Sequence, residues 1–216
     1  MANWVYRSDN TDVIPLEVGL TEFSRIESEL FVACRHDEAD RRWTLASRLG
    51  DMLTKAEKRF GPRDMSYTFL GIEFAGNIPM IRYHGEGKQI IIQLSLDALV
   101  DLPRACYQLG HECIHLLAPT GKQNAINLEE GLATLFGEDY ATKWFDMPRD
   151  CGGIEYERAK KITDKAFRMN PNFVREIRLK KPSFCDFTPK DILKHSDILP
   201  EEADFLCQPF YRAAVG

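Results

Sequence analysis

The sequence predicts an α+β fold, and three observations carry that expectation. Runs rich in β-branched and aromatic residues fall at 66–74 and 79–95, helical spacing dominates from residue 101 onward, and no repeat, low-complexity tract or linker divides the 216 residues. With 44% apolar and 28% charged residues, the chain is long enough to bury a core of its own. A single domain over 1–216 is expected, with an N-terminal subdomain of about residues 1–118 and a helical C-terminal subdomain of about 119–216 flanking a shared cleft.

Taken in order, a short strand is expected within residues 3–18, then helices over 21–34 and 38–60, the second closing at Gly61-Pro62. The period then changes. SYTFLGIEF at 66–74 reads as a strand, and residues 79–95 read as a hairpin because Gly85-Glu86-Gly87 sits between two apolar runs. Asp101-Leu102-Pro103 is a cap followed by an early proline, and it opens a helix that stops at Pro119. Further helices are expected at about 125–146, at 154–169 and in two short C-terminal pieces, where Thr188-Pro189 and Pro200-Glu201-Glu202 are good openings.

Composition narrows the function. Against 33 acidic residues stand 28 basic ones, a net charge of -5 with no long lysine or arginine block, so nucleic acid is not an expected partner. The start MANWVYRSDNTDVIPLEV has no basic lead into an apolar run, and no window approaches the length of a membrane span, so no membrane partner is expected and the reading is a cytoplasmic chain. The six cysteines, at 34, 106, 113, 151, 185 and 207, form no CxxC pair and read as reduced thiols.

The chemistry concentrates at 111–115, HECIH. Two histidines at i and i+4 stand one turn apart on one side of a helix and can reach one ion, here Zn²⁺. Glu112 falls beside that ion, where a carboxylate can take a proton from a metal-activated water. Leu102, Cys106, Leu109, Cys113 and Leu116 recur at spacings of four and three and form the core stripe, which makes Cys113 a packing residue. His111 and His115 lie nearly opposite, flanked by the apolar Tyr107, Ile114 and Ala118.

A third ligand is sought in LEEGLA. Leu128, Leu132, Leu135 and Phe136 form the apolar stripe of the next helix, while Glu130 projects from the other side with the small residues Ala133, Thr134, Gly137 and Ala141. Small residues let two helices approach closely, which would bring Glu130 against the histidines. Two other readings stay open: Asn127 as an N-cap with Glu130 closing a capping box, and Glu129 as the ligand in place of Glu130.

HECIH followed after fourteen intervening residues by Glu130-Gly131-Leu132-Ala133 resembles the gluzincin branch of the zincin metallopeptidases, in the EGxA form of its second motif. The likeness spans roughly residues 88–142, including QIIIQLS. It implies a zincin-like fold, zinc held by His111, His115 and Glu130, and Glu112 as general base in peptide-bond hydrolysis, with a peptide or protein as substrate. It further implies that residues 89–95 are an edge strand for an extended peptide, and that a downstream Tyr140, Tyr156, His195 or Tyr211 stabilises the oxyanion. Thr134 departs from the family, which often has an acid there, so support for a histidine ring must come from Glu129 or a backbone carbonyl. By residue context alone His195 reads as a surface histidine, and His84 and His36 as solvent-exposed ones. The competing functional reading is a catalytically inactive zincin-like module that keeps a metal for protein interaction or sensing.

Overall fold

The computed structural model describes residues 34–35, 42–84, 88–121, 125–145 and 154–211, and among them the chain is α+β. The strand expected within 3–18, the helix expected over 21–34 apart from its last residue, His36 and the 85–87 turn lie outside the described residues. β1 (Cys34–Arg35) and β2 (Arg42–Trp43) pair antiparallel. α1 (Leu45–Phe60) therefore starts later than the expected residue 38. The reason is local: Thr44 Oγ1 accepts the Ser47 N–H at 3.1 Å and Ser47 Oγ accepts the Thr44 N–H at 2.8 Å, a reciprocal cap that fixes the first turn.

β3 (Thr68–Phe74), β4 (Met80–His84) and β5 (Gln89–Leu94) form a sheet of order β3-β5-β4. β4 and β5 are the expected hairpin, and β3 adds to β5 in parallel. The expectation that residues 89–95 form an edge is thereby corrected: β5 is the central strand. Its near-continuous apolar run buries Ile90, Ile92 and Leu94, which is how a strand with neighbours on both sides reads. The edge is β4.

α2 (Leu102–His115) opens where Asp101 Oδ1 accepts the Arg104 N–H at 2.9 Å, with Pro103 in the first turn, where its missing donor does no harm. All members of the expected stripe from Cys106 to Leu116 are fully buried, Cys113 included. α3 (Asn127–Phe145) crosses α2 at glycines. A Cβ on Gly110 would stand 3.0 Å from Gly137 Cα, and one on Gly137 would stand 2.8 Å from the Tyr107 carbonyl. The helices touch backbone to backbone there, as the small residues on α3 predict. On its other side Gly131 lets α4 (Ile154–Met169) approach, since a Cβ there would meet Thr163 Oγ1 at 2.3 Å.

Three short helices follow instead of the expected two: α5 (Phe173–Arg178), α6 (Pro189–His195) and α7 (Pro200–Leu206). α5 is a six-residue helix, too brief for periodicity to reveal. Its last residue matters most. Arg178, 4% exposed, donates to the carbonyls of Phe60, Gly61, Pro62, Leu117 and Pro182 at 2.9 to 3.2 Å, tying the ends of α1 and α2 together. No helix among the described residues is long and apolar enough to cross a membrane.

Candidate metal centre

The helix periodicity of α2 sets His111 and His115 with ring centroids 5.1 Å apart, and the glycine crossing brings the first turn of α3 against them. Glu130 Oε2 lies 3.1 Å from His111 Nε2, and Glu130 Oε1 lies 3.7 Å from His115 Nε2. Ligand atoms around a tetrahedral zinc with bonds near 2.1 Å stand about 3.4 Å apart, so these two spacings straddle the zinc value. His111, Glu112 and His115 also place one ligand atom each within 4.8 Å of one another. Two imidazoles and carboxylates, nitrogen and oxygen donors of the right types, fit zinc.

Glu129 has a different role from Glu130. Its Oε1 meets His115 Nδ1 at 2.7 Å, behind the ring, and its side chain is 1% exposed. A carboxylate on Nδ1 fixes the tautomer and leaves Nε2 facing Glu130. Thr134 is fully buried, one turn past Glu130, and it is Glu129 that supports the ring. Asn127 is the first residue inside α3 and its N–H donates to the Gln208 carbonyl at 2.9 Å, not to Glu130, which faces the histidines, so the capping-box reading has no place here.

Burial works against charge on His115, yet Glu130, Glu129 and Glu112 outweigh it and raise its pKa to about 10. Burial pushes the Glu129 carboxyl above its ordinary value, and the His115 hydrogen bond pulls it back in part. The carboxylates around two imidazoles thus attract positive charge, whether a proton or a metal ion. Glu112 is 2% exposed and lines the same cleft.

The opposite wall of that cleft is β4 with its flanks: Pro79, Met80, Ile81 and Tyr83, closed at one end by Thr120 and Gly121. Tyr83 Oη accepts the Gly121 N–H at 2.9 Å and so ties the loop after α2 to the strand. Sequence reasoning missed Tyr83. Period two pairs it with Ile81 on one strand face, but only the packing shows that the cleft takes in both.

Of the four expected oxyanion residues, Tyr156 packs its ring on His111, with centroids 6.0 Å apart and planes at 65°. The structure places the others elsewhere. Tyr140 donates its hydroxyl to Asp51 at 2.9 Å on the α1 side, His195 Nδ1 meets Glu176 at 2.9 Å, and Tyr211 is 71% exposed. His195 is half-buried by that pairing and so is not a solvated histidine; His84, expected exposed, is half-buried as well.

No family model, curated protein or solved structure matches this chain. The class it defines by its own geometry is an α+β chain whose cleft is lined by two histidines and three glutamates, of which His111, Glu112 and Glu129 are buried and His115 and Glu130 half-buried.

Proposed function

We propose that this chain is a zinc-dependent metallopeptidase of zincin-like, gluzincin type, with His111, His115 and Glu130 as zinc ligands and Glu112 as the general base. The observation that carries the reading is the convergence of both Nε2 atoms on the two oxygens of Glu130, with Glu129 holding His115 from behind. Bound zinc would supply Lewis acidity, polarising a carbonyl and lowering the pKa of a water towards about 7.

The chain's own residues do the rest. Glu112, shielded from solvent beside the histidines, accepts a proton from the attacking water and passes it to the leaving amine nitrogen, a transfer that keeps one carboxylate in both acid and base roles. Among the described residues β4 has β5 on one side only, so its other edge can pair with an extended peptide along the cleft, a role expected of residues 89–95 and moved here to 80–84. Tyr156, packed on His111, is the phenol among the four expected residues best placed to donate to an oxyanion.

The inactive-module alternative has less support, because it leaves Glu112, set beside both histidines in the cleft, with no chemical task. Elemental analysis of the purified chain, followed by a peptide-hydrolysis assay on wild type and Glu112→Gln, tests the reading. Near one zinc per chain in both proteins, with turnover in the wild type alone, is the expected result. Equal turnover in the variant would overturn the mechanism, and zinc without turnover in either would favour the inactive module.

A further inference from the structure

Residues 205–210 are strapped across the start of α3. The Asn127 N–H donates to the Gln208 carbonyl at 2.9 Å, the Phe210 N–H donates to the Ala125 carbonyl at 2.7 Å, and Ile126 bridges Pro209 in antiparallel fashion. The Asn127 side-chain amide adds its bond to the Phe205 carbonyl. Ile126 O in turn accepts the N–H of Glu130 at 3.2 Å. The strap therefore grips the turn from which Glu129 and Glu130 project.

The same segment reaches the cluster by a second route. Phe210, 8% exposed, sets its ring 4.6 Å from that of Tyr156, which is the ring that packs edge-on against His111. Two physical weaknesses are met at once. The first turn of a helix has N–H groups without intrahelical partners and frays. A histidine ring turns broadly about its last side-chain bond unless its neighbours hold it.

We infer that residues 205–210 brace the cluster, with Phe210 a positioning residue that acts through Tyr156 on His111 and through Ala125 on the turn carrying both glutamates. The inference rests on the metal reading above for its consequence: a ligand set displaced by a fraction of an ångström binds its ion less tightly. The brace itself is a property of the chain without metal.

The test uses the full chain as wild type, Phe210→Ala and Phe210→Leu. Zinc affinity is measured by competition with a chelator, and the histidine rings of the metal-free proteins are followed by proton–nitrogen NMR. Phe210→Ala is expected to weaken zinc binding about ten-fold and to move the His111 ring signals while leaving those of His195, tied to Glu176, in place. Phe210→Leu, which keeps apolar volume, should show a smaller change in the same direction, and it carries the test if the alanine variant does not fold. Unchanged zinc affinity and unchanged His111 signals, even with a lowered melting temperature, would overturn the brace. A wild type that takes no zinc while His111 still responds to Phe210 would sink the metal reading and leave the brace standing.

Discussion

Two histidine–glutamate pairs in this chain have almost the same contact and very different surroundings. His115 meets Glu129 at 2.7 Å and His195 meets Glu176 at 2.9 Å, each through Nδ1. The Glu129 side chain is 1% exposed and that of Glu176 is 43% exposed. In the buried pair desolvation dominates and the Glu129 carboxyl is pushed up, while Glu130 and Glu112 crowd the same imidazole. In the open pair hydrogen bonds from Asn170 and His195 hold the Glu176 carboxyl below its ordinary value. A histidine–glutamate contact is thus a surface tie in one place and part of a charge-collecting site in the other, and burial together with the neighbouring carboxylates makes the difference.

The sharpest way to break the comparison is to remove ligands. His115→Ala and Glu130→Ala should each lose bound zinc in elemental analysis, whereas His195→Ala should keep it; zinc retained in both cleft variants would mean the buried cluster is no different in kind from the surface pair. Next in size is Glu112→Gln. It should keep the metal and lose about 10²–10⁴-fold in kcat, the range of general acid–base catalysis, while its melting temperature stays near that of the wild type.

A smaller effect separates the two pairs directly. Glu129→Gln should weaken zinc binding about 10–100-fold, the range seen when a partner behind a ligating histidine is changed, and Glu176→Gln should not change it at all. Chelator competition on the two variants decides. If they behave alike, the backing role of Glu129 is lost.

The smallest effect is on acid stability. The folded-state pKa of Glu176 lies below the ordinary glutamate value of 4.5, so its contribution is present above that pH and is lost as pH falls through the folded value. Relative to Glu176→Gln, the wild type should hold a slight advantage in melting temperature at pH 7 that shrinks below about pH 4.5. A gap that widens on acidification would show the sign to be wrong.

Much of the candidate site was legible because it is local. The i, i+4 spacing of His111 and His115, the stripe from Cys106 to Leu116 and the row of small residues on α3 are consequences of helix periodicity, and the structure places each on the expected face. The start of α1 at Leu45 differs from the expected residue 38 for an equally local reason: the Thr44–Ser47 cap outranks the charged stretch before it.

Apart from the strand at 42–43 and the short α5, the sequence by itself determined the main secondary-structure classes, the position of the histidine pair and the two neighbouring glutamates from which a third ligand would come, since these follow from periodicity and side-chain chemistry. The small-residue face favoured Glu130 and left Glu129 open; the tertiary structure sets Glu130 towards the histidines and Glu129 behind one of them, because residues 100° apart on a helix are separated by what packs against each face. It also decided that β4 is the edge along the cleft and β5 the centre, since strand order depends on where the parallel β3 pairs, and nothing local records that. The strap of residues 205–210 over Ala125 and Asn127 belongs with these: contacts between segments some 80 residues apart arise only on packing, where Phe210 sits on Tyr156 and Tyr156 on His111.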